Sequence, residues 1–270
     1  MREAVIIIPA RYASTRYPAK PLATLKGANG VERSLLERST IAARAAAQAT
    51  PGVTGVYVAT DDDRIAAEAQ RIGVEVIMTD PACANGTERV AQAVTRAGLT
   101  QPIIVNLQGD APLTPPHFVS ALIEAMRADD ARQVATPVLR CDREALDNFR
   151  ADRKAGRVGA TTVVRDTLGN AIYFSKEVIP YADGIKPGDI IPVFHHVGLY
   201  AYTPQALTLY SSLATGQLEQ IEGLEQLRFL EHGHKIAAVE VTAPGAAFWE
   251  LNNPSDVPLI EGYLKRMGID

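Results

Sequence analysis

A run of five apolar residues near the amino terminus constrains the fold more than any other feature of this chain. Residues 4–8 read Ala-Val-Ile-Ile-Ile, and Pro9 follows directly. Continuous β-branched residues are typical of a strand that is covered on both faces, as in a parallel sheet with helices on each side. The run therefore predicts a central parallel strand whose carboxyl end opens onto a binding site.

Strand and helix patterns alternate through the first half of the chain. The predicted helices cover residues 34–49, 63–72, 88–97 and 115–128, and the predicted strands cover residues 56–59, 74–78, 102–107 and 134–139. This alternation favours right-handed crossovers in a doubly wound sheet. We predict an α/β fold with a mainly parallel, mixed sheet.

The pattern changes after residue 140. Residues 142–159 are rich in charge and show no clear period, and residues 161–165 and 171–174 predict a hairpin. The remaining predicted elements are a strand over 197–202, helices over 204–213 and 221–231, a strand over 235–241 and a helix over 254–267. We predict a single domain, 1–270, with an inserted region at about 140–200.

Charge and cysteine content exclude several classes of protein. The formal net charge of −4 argues against a broad surface for nucleic acid or an anionic membrane. Cys83 and Cys141, the two cysteines of the chain, fit neither a disulfide framework nor a zinc site. No apolar run approaches the roughly 18 residues that a membrane span needs. We predict a cytoplasmic protein that binds neither nucleic acid nor membrane.

A cationic loop follows the first strand. Arg11, Arg16 and Lys20 lie within ten residues of one another, and Ser14 adds a hydroxyl. Guanidinium and ammonium groups at the carboxyl end of a buried strand are suited to a triphosphate. A solvated basic loop is the alternative, but the position after the first strand favours the phosphate site. Neither a P-loop nor a dinucleotide glycine motif is present, so side chains and irregular backbone must hold the phosphates.

Two polar turns follow other elements of the first half. Asp110 comes just after the apolar strand of the segment Val-Asn-Leu-Gln-Gly-Asp, at the same edge as the cationic loop, where a carboxylate could hold Mg²⁺ against phosphate oxygens. A lone Asp there is more often a turn or cap residue, but its pairing with the loop favours the metal. Residues 85–89, Asn-Gly-Thr-Glu-Arg, offer backbone N–H groups and the Thr87 hydroxyl to a base or phosphate. A capped helix start explains this segment equally well.

The second half contributes two polar pairs. His196 and Tyr200 have the even spacing of one strand face, whereas His195 projects to the other face, so the two histidines are not suited to one metal ion. The face of His196 and Tyr200 either lines a polar pocket or is structural. Glu225 and Gln226 lie in a predicted helix, where solvent exposure is the usual outcome for such a pair.

Seven motifs extend in order over almost the whole chain. They are P-A-R-Y-A-S-T-R-Y-P-A-K-P-L (9–22), V-A-T-D (58–61), N-G-T-E-R (85–89), V-N-L-Q-G-D (105–110), I-Y-F-S-K (172–176), H-V-G-L-Y (196–200) and L-E-Q-L-R (224–228). Together they resemble the 3-deoxy-manno-octulosonate (Kdo) cytidylyltransferases, the CMP-Kdo synthetases. The first motif is the most specific of the set.

The resemblance implies a Rossmann-like nucleotide-diphospho-sugar transferase fold with an inserted dimerisation subdomain, and a homodimer. It implies that CTP and an acidic sugar or related small acid react, with Mg²⁺, to give a CMP-sugar and pyrophosphate. The residues it assigns to the nucleotide are Pro9, Ala10, Arg11, Ser14, Arg16, Lys20, Thr60, Asp61, Asn85, Gly86, Thr87 and Arg89. It assigns Gln108, His196, Tyr200, Glu225 and Gln226 to the acceptor, Lys20, Arg16 and Asp110 to catalysis, and Asp110 and Asn252 to the metal.

The chain departs from the family pattern at several positions. Ala111 replaces an acid, Cys83-Ala-Asn replaces the start of the family's H-x-S-G-T, and residues 160–164 follow an unusual basic segment, 153–157. Asn252 stands where the family has the second metal-binding Asp, and its amide oxygen brings no charge to Mg²⁺.

These departures keep two alternatives open. The same CTP chemistry could act on a different acidic acceptor. The chain could also be a nucleotide-binding homologue with impaired catalysis, for which the change at Asn252 is the support. Glu250 or Asp256 could compensate for the missing charge.

Overall fold

The computed structural model describes residues 1–13, 17–110, 112–157, 160–186, 188–243, 251 and 253–270. Its strands are β1 (Ala4–Ala10), β2 (Thr24–Lys26), β3 (Glu32–Ser34), β4 (Val53–Thr60), β5 (Glu75–Met78), β6 (Ile103–Leu107), β7 (Val134–Arg140), β8 (Thr161–Arg165), β9 (Ala171–Ser175), β10 (Phe194–His196), β11 (Leu199–Tyr202) and β12 (Ala237–Val241). Its helices are α1 (Leu35–Ala49), α2 (Asp63–Arg71), α3 (Gly86–Arg96), α4 (Pro116–Ala128), α5 (Arg143–Lys154), α6 (Pro204–Ser212), α7 (Gln217–Glu222), α8 (Leu227–Glu231) and α9 (Val257–Met267), with short 3₁₀ turns at Lys20–Leu22 and Pro254–Asp256.

One mixed sheet organises the fold. Its strand order is β5-β4-β1-β6-β11-β7-β10-β8-β9, and β12 pairs with β7 off this path. β5, β4, β1 and β6 run parallel to one another. β11 is antiparallel to both β6 and β7. This arrangement confirms the predicted α/β class with a mixed sheet. The direction changes at β6, which therefore has a parallel neighbour on one side and an antiparallel one on the other.

β1 is covered on both faces, as its sequence predicts. Val5 and Ile7 belong to the core cluster under α3 and α6, and Ile6 and Ile8 belong to the cluster under α1 and α4. All four side chains are fully buried. Burying each such side chain contributes about 1.5–3 kcal/mol. Because successive side chains of β1 point to opposite faces, this one strand stabilises the packing of both helix layers on the sheet.

Residues 142–159 differ from the sequence prediction because they contain a regular helix, α5. The Asp142 side chain accepts a hydrogen bond from the Ala145 amide at 2.8 Å and so caps the helix amino terminus. Leu146 is the one fully buried residue within α5, so this surface helix carries almost no apolar period. The charge-rich sequence concealed a helix that its cap residue indicates.

Two predicted elements of the second half differ from the structure. The strand predicted over 197–202 is β11, which begins at Leu199, and the unpredicted strand β10 precedes it. The helix predicted over 221–231 is α7 and α8, separated by residues 223–226, which we name the acceptor turn. Gly223 ends α7 with a φ of 61°, a left-handed conformation that glycine adopts without a Cβ clash.

The remaining comparison with the sequence concerns small features. The loop after β1 contains a 3₁₀ turn, and β2 and β3 form a separate hairpin that the sequence did not predict. The hairpin predicted at 161–174 is present as β8 and β9. Within the part of the chain that the structure describes, no helix combines the length and apolar character needed to cross a bilayer.

Candidate active site

A cavity of about 870 Å³ lies where β1 and β6 end and β11 begins. The loops after β1 and β6, the start of α3, the end of α5, β10 and the acceptor turn line it. The predicted site residues in its lining are Pro9, Ala10, Arg11, Lys20, Asn85, Gly86, Arg89, Gln108, Asp110, His196, Tyr200, Glu225 and Gln226. Ser14, Arg16 and Asn252 lie outside the described residues.

Two glycines allow the loops around the cavity to approach closely. A Cβ on Gly109 would lie 3.2 Å from the Pro9 carbonyl oxygen, and a Cβ on Gly86 would lie 3.3 Å from Nε2 of Gln108. Both distances are shorter than ordinary van der Waals contact to a carbon atom. The loops after β1 and β6 and the start of α3 therefore converge because these positions have no side chain.

One end of the cavity is charged, and we name it the nucleotide end: Arg11, Lys20, Arg89 and Asp110. Nζ of Lys20 donates a hydrogen bond to Oδ2 of Asp110 at 2.7 Å, and the two side chains are 18% and 26% exposed. A half-buried ion pair keeps more of its Coulomb energy than a surface pair does. Arg11 is exposed at the same edge, so a polyanion in the cavity meets cations on two sides.

The donor set around Asp110 fits a magnesium ion shared with a nucleotide. Among the described residues, no cluster of three or more His, Cys, Asp or Glu side chains could hold a metal ion unaided. Mg²⁺ usually takes one or two carboxylates and completes its shell with phosphate oxygens and water. Asp256 also lines the cavity, and its Oδ2 accepts a hydrogen bond from the Asn253 amide at 2.7 Å. Asp110 together with a triphosphate satisfies this pattern.

Arg89 is held at the start of α3 by residues behind the cavity wall. It is 3% exposed, its Nη1 donates to Oγ1 of Thr79 at 2.5 Å, and the same atom lies 3.2 Å from Oδ1 of Asp61. The Asp61 contact lacks hydrogen-bond geometry, since Oδ1 has no hydrogen-bond partner. Asp61 therefore acts on Arg89 through charge, and Thr79 fixes its direction.

Three residues assigned to the nucleotide by resemblance do not line the cavity. Thr60 is fully buried at the end of β4, and Asp61 faces Arg89. Thr87 is 1% exposed, and its hydroxyl shares a hydrogen bond of 3.0 Å with the Tyr202 hydroxyl. The structure thus places all three in the supporting layer behind Arg89 and the α3 start, rather than in the lining itself.

The other end of the cavity is polar but buried, and we name it the acceptor end: Gln108, His196, Tyr200, Glu225 and Gln226. Burial lowers the pKa of His196 to about 3, with His195 adding to the effect, so its imidazole is neutral at pH 7. Nε2 of His196 lies 3.0 Å from Oγ1 of Thr136, whose hydroxyl proton is committed to the Leu199 carbonyl at 2.8 Å. On this basis we assign the ring proton to Nε2, which makes Nδ1 a hydrogen-bond acceptor.

Glu225 and Gln226 occupy the acceptor turn. Burial raises the pKa of Glu225 to about 7, and its Oε2 accepts a long hydrogen bond of 3.4 Å from the Thr87 amide. Gln226 is 4% exposed, and its Nε2 is buried without a hydrogen-bond partner. An unpartnered buried donor costs about 1–3 kcal/mol, which a ligand oxygen would recover. The expected solvent exposure is therefore wrong for Gln226, which is buried, whereas Glu225 is only half-buried.

Sequence reasoning missed a group of residues that line the cavity: Phe149, Asp152, Arg157, Thr161 and His195. Arg157 pairs with Asp152 through a contact of 2.7 Å between Nη2 and Oδ1. The Phe149 and His195 rings meet edge to face with centroids 5.2 Å apart. The signals available in the sequence were the basic segment 153–157 and the departure from the family pattern at residues 160–164.

A cationic loop and a carboxylate at the carboxyl ends of adjacent strands, on a covered α/β sheet, define a nucleotidyltransferase site. Known proteins agree with this class. A family model described as Cytidylyltransferase matches residues 5–236. The chain therefore belongs to the cytidylyltransferase family of CTP-dependent nucleotidyltransferases.

Two relatives and one solved structure are similar to this chain over almost its whole length. The chain is 42% identical over 262 residues to the 3-deoxy-manno-octulosonate cytidylyltransferase of Maricaulis maris (strain MCS10), with 97% of each protein covered. It is 37% identical over 262 residues to the 8-amino-3,8-dideoxy-manno-octulosonate cytidylyltransferase of Shewanella woodyi (strain ATCC 51908 / MS32), covering 96% of this chain and 97% of that protein. A solved CMP:2-keto-3-deoxy-manno-octonic acid synthetase complexed with CTP matches with a TM-score of 0.81 at 32% identity, over 98% of this chain and 99% of that one.

Proposed function

We propose that this protein transfers CMP from CTP to the anomeric hydroxyl of Kdo or a closely related acidic sugar and releases pyrophosphate. The observation that carries the proposal is one cavity whose lining combines the charged residues Arg11, Lys20, Arg89 and Asp110 with the neutral polar residues Gln108, His196 and Tyr200. The Lys20–Asp110 pair marks the charged end. At the neutral end, the unpartnered Nε2 of Gln226 supplies a donor suited to a sugar oxygen.

The reaction is an in-line displacement at the α-phosphorus of CTP. The anomeric oxygen forms a bond to the α-phosphorus, the bond from that phosphorus to the bridging oxygen breaks, pyrophosphate leaves, and the hydroxyl proton passes to solvent water. Such reactions depend mainly on positioning and charge neutralisation. Lys20 and Arg11 would neutralise phosphoryl oxygens, Arg16 would add a third cation, and His196 would orient the acceptor through Nδ1.

Magnesium belongs to the proposal because the residues present fit it. Asp110 would hold the ion, and Asn252 is the second ligand that the family resemblance implies. When bound, Mg²⁺ would supply charge neutralisation at the phosphate oxygens. This chain's own contribution is to hold Asp110 against Lys20 at 2.7 Å, so that the carboxylate already has a fixed position.

An 8-amino sugar is the second candidate acceptor. The relatives include enzymes named for each sugar.

Pyrophosphate release separates these possibilities. The purified protein would be incubated with CTP and Mg²⁺ and with Kdo, the 8-amino analogue or other small sugar acids in turn. Release with Kdo supports the first proposal, and release with the amino sugar alone supports the second. CTP binding without release from any acceptor would overturn both and would support an impaired homologue.

We also propose that the active form is a cytoplasmic homodimer built on the inserted region. β9 is the last strand in the sheet order, and the region leaves Ile172, Tyr181 and Ile190 at least 59% exposed. Exposed apolar side chains on an edge strand are suited to a second copy of the chain. Light scattering after gel filtration tests this, and a mass of 29.0 kDa at micromolar concentration would contradict it.

A further inference from the structure

One guanidinium group, that of Arg228, lies behind the cavity lining and contacts residues next to both the acceptor turn and the start of α3. Arg228 is 5% exposed and lies in α8, directly after the acceptor turn. Its Nε and Nη2 donate to the two carboxylate oxygens of Glu219 at 2.8 and 2.7 Å. Because Glu219 lies in α7, before the turn, this two-point ion pair joins the helices on either side of Glu225 and Gln226.

The same guanidinium group also reaches the α3 start, residues 85–89. Nη1 of Arg228 lies 3.4 Å from Oε1 of Glu88, and the group stacks over the Tyr210 ring with its carbon 4.2 Å from the ring centroid. The Tyr210 hydroxyl accepts a hydrogen bond from Nδ2 of Asn85 at 2.9 Å. The Oδ1 of Asn85 in turn accepts from the Glu88 amide at 2.9 Å and caps α3.

We propose that Arg228 is a positioning residue that holds the acceptor turn and the α3 start in one fixed arrangement, so that the two ends of the cavity are formed together. This inference rests on the proposed function, because it assigns the two ends to nucleotide and acceptor. Arg228 itself does not line the cavity. It acts through Asn85 on one side and through Glu225 and Gln226 on the other.

A buried ion pair such as Arg228–Glu219 contributes more to fixing the relative positions of the two helices than to the stability of the fold. Burying two charges costs free energy that their attraction offsets only when hydrogen bonding is good, so a structural role alone is served as well by apolar residues. The planar fork of arginine fixes direction as well as distance, which lysine cannot reproduce. The contacts of Arg228 with Glu219, Glu88 and Tyr210 use that fork and the flat face of the group.

Glu225 provides an internal probe of the arrangement. The titratable and charged groups that act on it are Glu219, Arg228, Tyr202 and Tyr210, with the Thr87 amide as its hydrogen-bond donor. Burial raises the pKa of Glu225, Glu219 raises it further, and the positive charge of Arg228 opposes both. Removing that charge while the fold is kept should therefore move the pKa of Glu225 upward.

The test compares Arg228→Met and Arg228→Lys with Arg140→Met in the full-length protein. Arg140 is a matched control because it also makes a two-point pair, with Glu240 at 3.0 and 3.3 Å, and stacks on the Phe194 ring at 4.4 Å. Three quantities would be measured: the Kd for CTP with Mg²⁺ by calorimetry, the KM for the acceptor, and the pKa of Glu225 from its carboxyl carbon signal in NMR.

The expected result is a joint loss at both ends. Arg228→Met should weaken CTP binding and raise the acceptor KM by about tenfold each, with a higher pKa for Glu225, and Arg228→Lys should give a smaller loss in the same two constants. Arg140→Met should change neither constant by more than about twofold. If Arg228→Met does not fold, Arg228→Lys decides alone.

Two outcomes would overturn the proposal: a folded Arg228 variant with both constants within twofold of wild type, or one that changes a single end. An inactive wild type would contradict the proposed function but would leave CTP binding and the Glu225 signal as readouts. A loss of CTP affinity without an upward shift in the pKa of Glu225 in Arg228→Met would also count against joint positioning.

Discussion

The nucleotide end and the acceptor end of the cavity, named for the ligands that we propose for them, differ in their physical character. The nucleotide end uses permanent charge at half-exposed positions, with Lys20 and Asp110 already paired at 2.7 Å. The acceptor end removes charge through burial, which lowers the pKa of His196 to about 3 and raises that of Glu225 to about 7. Charge neutralisation therefore belongs to one end and directional hydrogen bonding to the other. Substitutions at the two ends should fail in different ways.

The largest expected effect is at the nucleotide end. Lys20→Ala should lower kcat/KM by about a thousandfold, because the loss of one preorganised charge near the reacting phosphates typically costs 10²–10³. Steady-state pyrophosphate release measures it. Lys26→Ala is the matched control, since Lys26 is exposed and contacts Glu32 at only 3.8 Å. Near-normal turnover in Lys20→Ala would remove this residue from catalysis.

The acceptor end should respond to pH through Glu225. Its carboxyl keeps a proton up to about pH 7 in the folded chain, whereas the ordinary value is 4.5. Unfolded chains therefore lose this proton first, and the stability associated with it is lost as pH rises from about 4.5 through 7. The stability change caused by Glu225→Gln should therefore be more favourable at pH 8 than at pH 4, by about 3 kcal/mol in the free energy of unfolding. Urea denaturation of both proteins at the two pH values measures it. The same increment at both pH values would contradict the assigned burial effect.

A smaller effect is expected from the unpartnered donor of Gln226. Gln226→Leu removes a buried amide with no hydrogen-bond partner on Nε2, so the fold should lose little stability. The acceptor KM should rise about tenfold while the Kd for CTP stays within about twofold. If the acceptor KM and the Kd for CTP worsen equally, Gln226 does not act on the acceptor alone, and the proposed separation of the two ends is contradicted.

The smallest predicted effect concerns the loop that carries Lys20. Ala19 has a φ of 58°, the one non-glycine residue with positive φ among those the structure describes. L-residues pay about 1–2 kcal/mol there. Ala19→Gly should therefore raise the free energy of unfolding by up to about 1 kcal/mol with kcat retained. Thermal unfolding measures the change, and a destabilised variant would contradict the assigned strain.

The two ends also differ in how far the sequence predicts them. Arg11, Lys20 and Asp110 follow buried strands, so their place at the sheet edge follows from strand order and a general rule for α/β proteins. The acceptor turn was not predicted, because the apolar spacing of residues 221–231 fits one helix, although Gly223, which ends α7 in a left-handed conformation, is a helix-ending signal. The α5 helix was missed for a related reason, since a surface helix with one fully buried side chain leaves no apolar period.

Some site residues were assigned through the family resemblance, and the structure then shows which side chains they contact. His196 and Tyr200 were predicted on one strand, yet they lie in β10 and β11, with ring centroids 5.6 Å apart. Thr87 was assigned to the nucleotide, and its hydroxyl instead bonds Tyr202. Side-chain partners across distant elements decide such details, and single-sequence patterns carry no information about them.

The change of strand direction at β6 has a consequence for engineering. Leu107, the last residue of β6, is paired with Leu199, the first residue of β11, so chain segments running in opposite directions deliver their functional groups to one edge. The residues that we propose for the acceptor, other than Gln108, consequently lie in a single stretch, 194–231, whereas the loops that we propose for the phosphates lie before residue 111. A chimera in which residues 194–231 are replaced by the equivalent stretch of a relative should adopt the sugar preference of that relative and keep CTP as the nucleotide.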